Sequence, residues 1–145
     1  MTYEEIKKIN ASLKPMDIKG KKYIPVNERV KAFRMLVPEG TIETELVSST
    51  DNYIIFKAKI FVNGDLKATG YAEEIRGSSS INRTSALENA ETSAVGRALG
   101  FLGIGIDTSI ASFEEVNNAQ MFNEANKLAT PTEKAGLIAS ARARG

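Results

Sequence analysis

Neither cysteine nor histidine occurs among the 145 residues. The first absence removes disulfide frameworks and thiolate metal sites, and the second removes the commonest metal ligand and general base, so triads, zincins and zinc fingers are excluded. No apolar run approaches the roughly 20 residues that span a bilayer. Glu4 and Glu5 stand where a secretory leader would place basic and then apolar residues, which predicts a cytoplasmic protein with no membrane partner. No GxxxxGK(S/T) loop is present, which argues against ATP-driven strand exchange, and no cofactor is expected. Internal repeats and low-complexity tracts are also missing.

What is present is an ordinary hydrophobic share of 42% in a chain long enough for one cored domain and a tail. The net charge of +1 conceals a gradient. Residues 1–40 carry nine Lys and Arg against five Asp and Glu, a surplus of four, whereas residues 41–76 carry four against six. Lys14, Lys19, Lys21 and Lys22 concentrate the surplus around one loop, and Tyr23 directly after them offers a base-stacking face beside phosphate contacts, the combination used for single-stranded nucleic acid.

Helical spacing and a Thr2/Glu5 capping box predict a first helix to about Leu13, and Asn27 is read as the cap of a second, running to Val37. Three strands follow, at about 41–48, 53–61 and 65–76, with Asn63-Gly64 marking a hairpin. A three-residue loop, Val62 to Gly64, is expected to pair Ile60 with Leu66 and Ala58 with Ala68, keeping apolar residues together. That register leaves Lys57, Lys59 and Lys67 on the other face, with Lys59 directly opposite Lys67.

The stretch Thr84 to Gly103 reads as one helix, started by a Ser85/Glu88 capping box. Its apolar stripe is Leu87, Ala90, Ala94, Ala98 and Phe101, widened by Val95, Leu99 and Leu102. The opposite side, Asn89, Ser93, Gly96, Arg97 and Gly100, reads as a bare floor with one cation, suited to a phosphate backbone, although close helix packing explains the same glycines equally well. Ser112 with Glu115 predicts a further helix to about Ala129, and Thr130-Pro131 begins a weaker one. Adjacent glutamate pairs such as Glu73/Glu74 point to different sides of their element, which argues against a metal-dependent nuclease. The fold expected is α+β, a three-stranded antiparallel meander on a long helix with flanking helices, residues 1–110 forming the domain and 111–145 a helical extension.

The stretches TYEEIKKINASLK, YIPVNERV, the meander with GYAEE, and SALENAETSAVGRALGFLG, together covering roughly residues 2–105, resemble the annealing domain of Rad-fifty-two-type recombination mediators. The resemblance is closer to their small phage relatives, the single-strand annealing proteins. It implies ATP-independent binding of single-stranded DNA and annealing of complementary strands, without catalysis, by a homo-oligomeric ring or filament in the host cytoplasm. A phage exonuclease or a single-strand-binding protein is the implied partner. By position the resemblance assigns Lys14, Tyr23 and Arg97 to a DNA groove and Arg83 to an outer site. Gly96 and Gly100 stand where larger relatives have cations, leaving Lys19, Lys21, Lys22, Lys57 and Lys59 as substitutes. The rival reading is a non-catalytic interaction or assembly module whose basic loop is incidental.

Overall fold

A computed structural model describes residues 1–107. The helices expected from Ser112 and Thr130, and with them the extension 111–145, lie outside the described residues. The elements are α1 (Tyr3–Ser12), a two-stranded antiparallel ribbon of β1 (Met16–Ile18) and β2 (Lys21–Tyr23), and α2 (Val26–Leu36). Then come β3 (Thr41–Ser49), β4 (Tyr53–Val62) and β5 (Asp65–Ile75), paired in the order β3-β4-β5 as an antiparallel sheet, followed by α3 (Ser80–Thr84) and α4 (Ala86–Leu102). The lysine segment expected as a loop is thus the ribbon, turning through Lys19 and Gly20 at positive φ.

The Thr2 hydroxyl accepts from the Glu5 amide as the capping box requires. The other two expected caps are corrected. α2 starts at Val26 on Pro25, placing Asn27 inside the first turn, and Ser85 makes no side-chain cap. Ser79 caps α3 instead, accepting from the Asn82 amide.

β4 alternates strictly: Ile54, Phe56, Ala58, Ile60 and Val62 are buried on one face, and Tyr53, Ile55, Lys57, Lys59 and Phe61 occupy the other. α4 covers the buried face with Ala90, Ala94 and Ala98. The approach is close enough that a Cβ on Gly70 would lie 2.5 Å from the Ala98 backbone nitrogen. Only glycine fits there.

The hairpin register differs from expectation by two residues while keeping the same faces. Asn63 and Gly64 both take positive φ, 53° and 81°, and form a two-residue turn with Val62 opposite Asp65. Such a turn alone would flip the sheet's faces, but a bulge at Lys67 restores them, so Ile60 pairs with Ala68 and Ala58 with Gly70. Lys59 therefore faces Thr69, and the expected Lys59–Lys67 repulsion does not arise.

α4 also departs from expectation. Ser93, Gly96 and Gly100 are buried on the side expected to be bare, where α2 packs against Gly96. A Cβ on Gly96 would stand 2.6 Å from Val26 Cγ2. Small residues here admit a neighbouring helix and leave no floor for a phosphate. The stripe's ends, Leu87 and Phe101, are 40% and 58% exposed, and Ala86 and Leu99 are the buried apolar residues in the first and last turns.

Candidate nucleic-acid interface

The amino-terminal segment of α1 and the ribbon, called the amino-terminal lobe, carries six lysines. Lys7 and Lys8 are exposed on α1, Lys14 follows it, and Lys19, Lys21 and Lys22 are exposed on the ribbon. Asp17 pairs across the ribbon with Lys22 and accepts from the Gly20 amide at 2.7 Å, so its carboxylate stiffens the turn that carries the cations. Met16 pairs with Tyr23.

Two side chains lock this lobe to the end of α4. Asn10 donates to the Gly103 carbonyl at 2.9 Å and accepts from the Gly105 amide at 2.8 Å, using both ends of its amide on one loop. Arg29, only 2% exposed, donates from Nε to the Ile24 carbonyl at 3.3 Å and from Nη1 to the Ile104 carbonyl at 3.1 Å. It thereby ties the exit of β2 to the segment after α4. Burial lowers its pKa from the usual arginine value, and Tyr23 acts in the opposite direction.

Tyr23 itself is 4% exposed. Its ring is buried, so the stacking face expected of it is absent. The aromatic that the lobe presents is Tyr3, 71% exposed and one helical turn before Lys7.

The remaining expected cations lie elsewhere. Lys57 and Lys59 are on the sheet face opposite α4, where Lys57 stands 5.3 Å from the Tyr71 ring centroid and Lys59 lies 3.8 Å from Glu45. Glu43 and Glu45 pair across the strands with Lys59 and Lys57, so this face is charge-balanced. Arg83 is exposed on α3, before the start of α4, and Arg97 is half-buried in the carboxyl-terminal half of α4. Beside Arg83, Asn82 anchors α3: it donates to Glu74 at 2.9 Å and to Ser78 at 3.0 Å, and accepts from Asn89 at 3.0 Å. The 17 residues of α4 separate Arg83 from the lysine lobe by about 26 Å along the helix. Arg83, assigned to an outer site, thus stands apart from the lysines.

Sequence reasoning does not single out Arg29, Asn10, Tyr3, Lys7 or Lys8. Arg29 has a signal: it sits three residues after Val26 and four before Phe33, on the apolar stripe of α2. Among the described residues no acidic cluster is arranged to hold a metal, and no helix is long and apolar enough to cross a membrane.

A family model described as Slr1353 N-terminal dsRNA-binding domain-like matches residues 30–102, half of the chain. No curated protein matches. The matched span runs from within α2 through the meander to the end of α4. It overturns the resemblance to the annealing proteins, and the ring or filament, the phage origin and the exonuclease or single-strand-binding partners lose their basis with it. That resemblance rested on element order, and a helix, a meander and a helix is a packing solution that unrelated sequences share. Covering the whole sheet and the helix that packs on it, the match shows that the chain belongs to the Slr1353 N-terminal dsRNA-binding domain-like family.

Proposed function

We propose that this protein is a non-catalytic nucleic-acid-binding module that grips the phosphate backbone of double-stranded RNA without reading sequence. Family membership supports nucleic acid as the ligand class at a coarse level, and the family's description supports a duplex. The observation that carries the reading to a place on the molecule is the partition of charge. The matched span holds eight Lys and Arg against nine Asp and Glu, whereas residues 1–25, before α2, hold six against three. The cationic contact accordingly comes from the lobe of α1 and the ribbon, and the α2–meander–α4 unit is its platform. Phosphate contacts of this kind release counterions, so affinity falls steeply with salt.

The test is a titration of fluorescent duplex RNA at several salt concentrations with the parent and with Lys19→Gln/Lys21→Gln/Lys22→Gln. The expected outcome is weaker binding and a flatter log–log salt dependence, by about 0.7 to 0.9 for each phosphate that is no longer neutralised. An unchanged slope places the contact elsewhere. The exposed Tyr3 ring favours a second reading, capture of a single strand by stacking beside Lys7. Under that reading Tyr3→Ala weakens binding of single-stranded oligonucleotide and leaves duplex binding unaltered.

A further inference from the structure

One side of β3 pairs with β4, and the other is a sheet edge among the described residues. Thr41, Glu43, Glu45 and Leu46 are exposed along it. An edge of this kind offers a row of backbone donors and acceptors to any extended chain. Beside it runs a largely apolar groove of about 600 Å³ between β3, α2 and α4, walled by Ile42, Val26, Val30 and Val95. At its polar end the Thr44 hydroxyl donates to Glu91 Oε2 at 2.8 Å. Edge and groove together meet the requirements of strand addition, in which backbone pairing supplies affinity and a lateral pocket selects alternate side chains.

The pairing already made by β3 shows which chemistry the strand accepts. On the outer face Glu43 meets Lys59 and Glu45 meets Lys57, while on the inner face Ile42 meets Ile60 and Thr44 meets Ala58. A chain added on the other edge meets the same alternation, carboxylates outward and an apolar wall inward. Glu43 and Glu45 are exposed on the outer face and complement basic side chains on an added strand, which a polypeptide supplies. A second copy's β3 is a poor occupant, because the antiparallel registers that keep the inner faces together and overlap the two strands most fully set Glu43 or Glu45 against another carboxylate. We propose that the β3 edge docks an extended polypeptide segment in which lysine or arginine alternates with apolar residues, taken up as a fourth strand of the sheet. This site is separate from the lysine lobe and stands whether or not that lobe binds RNA.

The test uses the full chain and two labelled peptides of about nine residues, one alternating isoleucine with lysine and one of the same composition in blocks. Fluorescence anisotropy is expected to show the alternating peptide binding about tenfold more tightly, with amide shifts concentrated at Thr41–Leu46. Glu43→Gln/Glu45→Gln is expected to weaken it about fivefold. Thr92→Tyr, at an exposed α4 position lining the groove, fills the pocket and is expected to abolish the preference without altering the melting temperature. Equal affinity for both peptides, indifference to both variants, or a free protein that sediments as a dimer through β3 would each overturn the proposal.

Discussion

Arg29 and Gly70 show what single side chains do to this fold. Arg29 occupies an apolar-stripe position and serves two main-chain carbonyls, Ile24 and Ile104, that would otherwise lie buried without its donors. Arg29→Met keeps much of the packing volume and removes those donors, so the expected loss is on the order of 3 kcal/mol in urea-induced unfolding. An unchanged midpoint would show that water serves the carbonyls equally well. Gly70 has no room because backbone atoms of α4 face it. Gly70→Ala is therefore expected to cost about 2 kcal/mol or more, since backbone cannot step aside. Gly96→Ala meets only the Val26 side chain, which can be trimmed. Gly96→Ala with Val26→Ala should consequently recover stability that Gly96→Ala alone loses, and calorimetric melting of the three variants decides it.

Elements were legible where their periodicity was long, and illegible where they were short or where small residues hid a contact. β3, β4, β5 and α4 announced themselves through strict alternation and helical spacing over nine residues or more. The ribbon, with strands of three residues, is too short to show a period, so its burial of Tyr23 could not be foreseen. The second buried side of α4 was missed because Ser93, Gly96 and Gly100 look polar or bare in sequence while being suited to helix contact. The lysines of the proposed interface were legible as a local charge surplus, but the tethers Asn10 and Arg29 were not, since their partners lie 93 and 75 residues away. The hairpin shows the limit of register arguments. Parity followed from the apolar pattern, whereas the bulge at Lys67 reconciles that parity with a two-residue turn. Deleting Lys67 leaves every other β4–β5 pair intact, so the deletion is expected to cost less than about 1.5 kcal/mol. Deleting Thr69 instead moves Lys67 onto the inner face opposite Ile60 and should prevent stable folding, which circular dichroism will report.

At the scale of the whole molecule, a segment that carries cations and a platform with a slight anionic excess are joined by the packing of Ile9 and Leu13 on the core and by the tethers Asn10 and Arg29. Under the nucleic-acid reading, two quantities separate. The number of phosphates neutralised depends on how many lysines reach the backbone, and it sets the salt slope. The affinity at any one salt concentration depends also on how firmly α1 and the ribbon are held in the binding arrangement, because ordering a loose lobe at the moment of binding costs free energy. Asn10→Ala removes two hydrogen bonds to the Gly103–Gly105 loop and touches no cation. It should loosen α1, seen as faster amide exchange in Tyr3–Ser12, and lower duplex RNA affinity about three- to tenfold, within the net worth of two such bonds. The log–log salt plots of parent and Asn10→Ala should then run parallel and displaced, whereas the lysine variant's plot should be flatter. Converging plots for Asn10→Ala would mean that the lysines leave the phosphates when the tether is cut, and coincident plots would mean that the lobe's position is fixed by the core contacts of Ile9 and Leu13 and not by Asn10.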